Sequence, residues 1–192
     1  MRKGASIGIA GVFAICASAM AVMAAPAPPR DLASICLVSP CRTAVTEFRL
    51  TDSAGGTFIL NTALVPYADE GRVNLFAGEI IGIAFPASGV NEPRFVRTAE
   101  SLEAGPPRSL TLRLAQSAGR ADMGLDIQST LDMPVMFDAV LYIPTPRSMG
   151  ERRIYACLVA ANGLTRQTWP YPVATMVLSN FRAATSAQGD CR

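Results

Sequence analysis

The chain has 192 residues, half of them apolar, with 17 basic and 15 acidic side chains and no histidine. Lys3 is its only lysine. The missing imidazole excludes serine triads, Cys–His pairs and His-ligated zinc sites, and with the one lysine lying in the segment expected to be cleaved, the mature chain lacks the lysine that Schiff bases, Ser–Lys dyads and P-loops need.

The first segment has Arg2 and Lys3, an apolar run from Ile7 to Cys16, and then small residues. That is the layout of a secretory signal peptide, with cleavage after Ala24 and with Val22 and Ala24 at the recognition positions. The expected divisions are therefore a cleaved segment 1–24, an extended proline-rich leader 25–34 ("APAPPR" at its start) and one domain, 35–192. Removing Arg2 and Lys3 leaves 15 basic and 15 acidic residues (17 − 2 against 15), a net charge of zero. A neutral domain lacks the field that draws proteins to nucleic acid or anionic lipid. Arginine in place of lysine, with abundant alanine, points to a GC-rich bacterial genome. Periplasmic or secreted is the expected location, with no membrane span after cleavage.

Four cysteines follow the signal: Cys36, Cys41, Cys157 and Cys191. An even number in an exported chain predicts two disulfides. The favoured pairing is Cys36–Cys41 and Cys157–Cys191, and links crossing between the two pairs are the rival. A four-thiolate zinc site is disfavoured because no paired C-x-x-C knuckle is present. No metal or cofactor is expected.

Strand signals then dominate in chain order. Thr43–Thr51 alternates, with Phe48 and Leu50 on one side and Glu47 and Arg49 on the other. Gly55–Leu60 follows a turn. Arg72–Pro86 reads as one long strand, apolar on both faces toward its end, bending at Gly78 and Gly82. Arg94–Arg97 is short and edge-like, and Arg97–Ala104 is a candidate short helix. Ser109–Gln116 turns Leu110, Leu112 and Leu114 inward. Ala121–Asp132 turns Met123, Leu125, Ile127 and Leu131 one way and Asp122, Asp126 and Gln128 the other. Pro134–Ile143, Arg153–Ala160 and Val173–Arg182 complete the set, with turn residues between them. Eight or nine strands at this spacing predict an all-β antiparallel β-sandwich, immunoglobulin-like in the broad sense. A Greek-key barrel or jelly roll is the runner-up.

Only carboxylate, Tyr or Arg chemistry survives the exclusions. Glu79 and Asp138 each interrupt an apolar stretch and are the candidate acid pair, as a glycoside hydrolase would use. The structural reading of Asp138 is favoured: an ion pair with Arg113 or Arg153, or an acceptor for backbone N–H groups. Tyr67–Gly71 ("YADEG") gathers oxygens that suit calcium but lacks the EF-hand spacing, and a plain polar turn is preferred. Asp122 and Asp126 stand about 13 Å apart along a strand, too far to share one ion. Trp169 and Tyr171 in "TWPYP" are candidates for stacking on a sugar or peptide, or else form a lid over the core, and their X-Pro bonds favour cis isomers more than most. The function expected is non-enzymatic: binding, surface assembly or envelope scaffolding, with a protein or glycan of the cell envelope as partner. A carboxylate-dependent polysaccharide hydrolase of the periplasm and a strand-exchanging subunit of a surface polymer are the alternatives.

Overall fold

The computed structural model describes residues 32–42, 46–51, 56–62, 65–145, 148–184 and 191. The expected signal segment, the leader as far as Asp31, and residues 43–45 and 52–55 of the first hairpin lie outside them.

A short helix, α1 (Leu32–Cys36), begins the described chain, so the last leader residues, 32–34, are helical rather than extended. Twelve strands follow among the described residues, against the eight or nine expected. They are β1 (Thr46–Thr51), β2 (Thr57–Thr62), β3 (Ala68–Asp69), β4 (Arg72–Phe76), β5 (Ile80–Ala84), β6 (Arg94–Thr98), β7 (Ser109–Gln116), β8 (Met123–Ser129), β9 (Val135–Pro144), β10 (Met149–Val159), β11 (Leu164–Trp169) and β12 (Thr175–Ala183). They form a two-stranded ribbon, β1-β2, and two five-stranded sheets, β10-β9-β12-β4-β3 and β11-β8-β7-β5-β6. Every pairing is antiparallel. The arrangement is sandwich-like and not a barrel.

Three differences from the expected elements have local causes. The stretch 72–86 is two strands in different sheets. The chain turns at Gly78, whose φ of 84° favours a residue without Cβ. Apolarity on both faces therefore reflects a crossing between sheets and not one central strand. The expected helix at 97–104 is the end of β6 followed by a loop. β11 went unseen because its Leu-Thr-Arg-Gln-Thr-Trp sequence has no apolar alternation; it is an edge strand with Leu164 exposed.

The core lies between the facing sheets. Leu75, Ile81, Ile83, Leu110, Leu112, Leu114, Leu125, Ile127, Phe137 and Leu141 are all fully enclosed. Each such side chain contributes about 1.5–3 kcal/mol relative to exposure. The residues expected to turn inward on β7 and β8, Leu110, Leu112, Leu114, Met123, Leu125 and Ile127, are all buried, because side chains on a pleat point to opposite faces. Cys36–Cys41 ties α1 to the bridge that Cys41 forms with Pro66, and Cys157–Cys191 joins β10 to the C-terminal segment. Both links are the favoured pairing.

Candidate functional site

Asp138 sits in the middle of β9, and the strands on both sides of it carry a β-bulge. On β10 the register shifts between Ile154 and Cys157, and on β12 between Ser179 and Arg182. Each bulge contains a non-glycine residue in the left-handed region, Ala156 and Asn180, both at φ 53°. Asp138 Oδ1 accepts the Ala156 N–H at 2.9 Å and Arg182 Nη2 at 3.1 Å, and Oδ2 accepts Asn180 Nδ2 at 2.6 Å. One carboxylate thus ties down both bulges. Burial pushes its pKa up, but the bonds from Ala156, Asn180 and Arg182, with the charge of Arg182, outweigh that and hold it below the ordinary value. The backbone-acceptor reading of Asp138 describes this site. Neither Arg113 nor Arg153 is its partner: Arg113 pairs with Asp126 and Arg153 with Glu151.

Glu79 lies in the turn between β4 and β5, not within a strand, and it holds Arg42. Arg42 Nε and Nη2 donate to Oε1 and Oε2, each at 2.6 Å. Nη1 donates to the carbonyls of Val65 and Pro66, and Nη2 also to that of Asn74. All five N–H groups of the guanidinium are thereby engaged. The rings of Tyr67 and Phe76 lie 4.1 and 4.5 Å from its centre, and Phe95 stacks on the far side of Tyr67. Glu79 Oε2 also accepts the Phe76 N–H at 2.9 Å.

The two candidate acids do not meet. Thr175 is level with both Phe76 and Tyr142, so Phe76 lies four residues along and two strands across from Asp138. At ~3.4 Å per residue and ~4.8 Å per strand, that is about 17 Å. The Glu79 carboxylate stays beside Phe76, whose N–H it accepts at 2.9 Å. Glycosidase carboxyl pairs stand at most about 9.5 Å apart.

Trp169 ends β11 and is buried against the core rather than held out in a loop. Tyr171 is half-buried, with the Arg152 guanidinium 5.5 Å from its ring centre. The Trp169–Pro170 and Tyr171–Pro172 bonds are trans. The pair closes one end of the core and does not present two open aromatic faces. The "YADEG" stretch forms the tight β3–β4 turn: Ala68 and Asp69 pair with Val73 and Arg72, and Glu70 and Gly71 take positive φ.

Sequence reasoning weighed a third carboxylate, Asp126, only as an ion ligand beside Asp122 and missed its arginine partners. Asp126 on β8 is level with Arg113 on β7 and with Arg166 on β11. Its side chain is 6% exposed and is gripped from both sides: Arg113 Nε and Nη2 reach Oδ2, and Arg166 Nε reaches Oδ1. Burial pushes the Asp126 pKa up, but hydrogen bonds from Arg166 and Arg113, and their charges, bring it below the ordinary value. The available signal was the outward pattern of Asp126 beside two strands that each carry one outward arginine. Reading it required knowing which strands are neighbours.

This triad floors an open cleft of about 560 Å³ on the outer face of the second sheet, lined by Arg113, Arg120, Arg166, Asp122, Asp126 and Trp169 among others. Arg120 pairs with Asp122 at its far side. No protein-family model, curated protein or solved structure matches this chain.

Proposed function

We propose that the chain is an exported bacterial envelope protein that acts by binding and not by catalysis, on a sandwich that is immunoglobulin-like in the broad sense. The observation carrying the non-catalytic reading is the state of its enclosed carboxylates. Glu79, Asp126 and Asp138 are each engaged by arginine, two of them also by backbone N–H groups. Asp126 and Asp138 are both held below the ordinary aspartate pKa. A general acid needs the opposite shift, as a carboxyl kept protonated near neutrality.

The two disulfides support export, since such links persist in oxidising compartments. The immunoglobulin-like reading draws on the crossings between sheets at β4–β5, β8–β9, β10–β11 and β11–β12. Fold likeness alone names no partner.

Two measurements test this together. Intact-mass analysis of periplasmic material should show a chain beginning at Ala25; a membrane-bound form retaining Arg2 and Lys3 counts against the soluble exported reading. A hydrolysis screen on glycans and peptides should show no turnover. Turnover that Asp138→Asn or Glu79→Gln abolishes while leaving the melting temperature unchanged would make the protein a hydrolase.

A further inference from the structure

We infer that the cleft over Arg113, Asp126 and Arg166 binds an acidic polysaccharide segment, its arginines taking the carboxylates of successive sugar residues. The inference rests on the binding reading above and gives it a site and a ligand class.

The argument begins with unused donors. Each guanidinium carries five N–H groups. Arg113 gives two to Asp126, and Arg166 gives one. The rest have no partner among the described residues, although both side chains line the cleft. Asp126 acts as a brace. It is enclosed and ionised, so it fixes two arginines by their inner edges and leaves their outer edges open. Arginine held in this way meets a carboxylate with two parallel hydrogen bonds. Less side-chain entropy remains to be lost on binding, which favours affinity.

Charge and spacing define the ligand. Three arginines against two aspartates leave the cleft at +1 on a mature chain of net charge zero. Arg113 and Arg166 lie two strands apart, about 10 Å between backbones, and Arg120 stands toward the other end near Asp122. Positive groups at separated points suit an anion that repeats along a chain better than one small anion. The cleft size suits a few sugar rings.

The surrounding chemistry favours a saccharide over a peptide. β7 and β8 are interior strands whose backbone groups face their neighbours in the sheet. Strand addition could occur only at the free edge of β11, and a peptide held there would not lie over Arg113, two strands further in. The cleft offers side chains instead: guanidinium groups for carboxylates and, from Ser117 and Thr168 in its lining, hydroxyls for ring hydroxyls.

Calorimetric titration of the mature protein with tetragalacturonate tests the inference, beside its methyl ester and a glutamate-rich peptide of equal charge. Tetragalacturonate should bind, more weakly as salt rises, and the neutral ester should not. Arg166→Gln and Arg120→Gln alter exposed side chains and should each weaken binding about ten-fold or more while the protein stays folded at the titration temperature. No binding, binding that both variants leave unchanged, or equally tight binding of the peptide through the same arginines overturns the inference. Capture of a neutral glycan that ignores both variants would also overturn it, yet would leave the broader binding reading standing. Cleavage of tetragalacturonate, read by chromatography of the same mixture, would instead sink the non-catalytic reading; occupancy of the cleft is still judged by the two variants.

Discussion

Arg42 and Arg166 each pair with a carboxylate at the same sandwich, but they are opposite in what is enclosed. Arg42 is 3% exposed and every N–H it carries is engaged inside the protein. Arg166 is 60% exposed, and its carboxylate partner is the enclosed member. The difference separates a strut from a presenting group. A buried cation must have its donors satisfied internally, so it has none left for a ligand. A buried anion between exposed cations fixes their geometry and leaves their outer donors open. Asp138 stands between the two cases, half-enclosed, with a partly exposed Arg182 and a backbone N–H among its partners.

The largest expected effect is at the strut. Arg42→Ala strips Glu79 of its counter-charge, takes the guanidinium donors away from the carbonyls of Val65, Pro66 and Asn74, and removes the cation beside two rings. Urea denaturation should show a loss of about 3–5 kcal/mol, the range for breaking one side of a buried pair. A loss below about 1 kcal/mol would mean that Arg42 is no strut, and the contrast with Arg166 would collapse.

The clamp on the bulges comes next. Asp138→Asn removes the charge-assisted part of three hydrogen bonds and should cost about 1–2 kcal/mol. Asp138→Ala should cost more, since the Ala156 N–H loses its acceptor. Ala156→Gly should run the other way, relieving the left-handed strain of a residue with Cβ by about 0.5–1 kcal/mol.

Acid sharpens the same contrast. Asp126 and Asp138 have pKa values lowered in the fold from the ordinary 3.8. As pH falls through that value, the unfolded chain takes up protons before the folded one does. Their contribution is therefore complete well above pH 3.8 and is lost as pH drops toward their folded values. Thermal melts from pH 6 to pH 2 should show this fall, and Asp138→Asn should make it shallower. A melting temperature that does not change across the range would contradict both assignments.

The smallest effect is at the presenting arginine. In urea denaturation Arg166→Gln should cost no more than about 1 kcal/mol, because Asp126 keeps Arg113 and the Arg166 side chain itself is largely exposed. A larger loss would make Arg166 a second strut.

Much of the fold was legible in the residues, and the reasons are local. A pleat sends alternate side chains to opposite faces, so Leu110, Leu112 and Leu114 could be placed inward, and Met123, Leu125 and Ile127 on one shared face, from spacing alone. An even cysteine count in a chain read as exported, with the short Cys36–Cys41 loop, was enough to favour the pairing found. Residues that depend on no single local pattern were misread: β11 lacks alternation, and the apolar run at 72–86 hides a crossing between sheets.

The chain by itself determined the all-β class, most of the inward faces, a favoured disulfide pairing and the chemistry that missing histidine rules out. It also marked Glu79 and Asp138 as carboxylates needing partners, because a charge beside apolar neighbours must be satisfied. Which partner each one found was decided only in three dimensions. Asp126 meets Arg113 and Arg166 because β8 lies between β7 and β11 in register, a relation that joins positions 13 and 40 residues apart. Asp138 meets Ala156 and Asn180 because both neighbouring strands bulge beside it, and Glu79 meets Arg42 across 37 residues. Ion pairing needs contact within a few ångströms, and in a sheet that contact is set by strand order and register, which depend on the packing of the whole core.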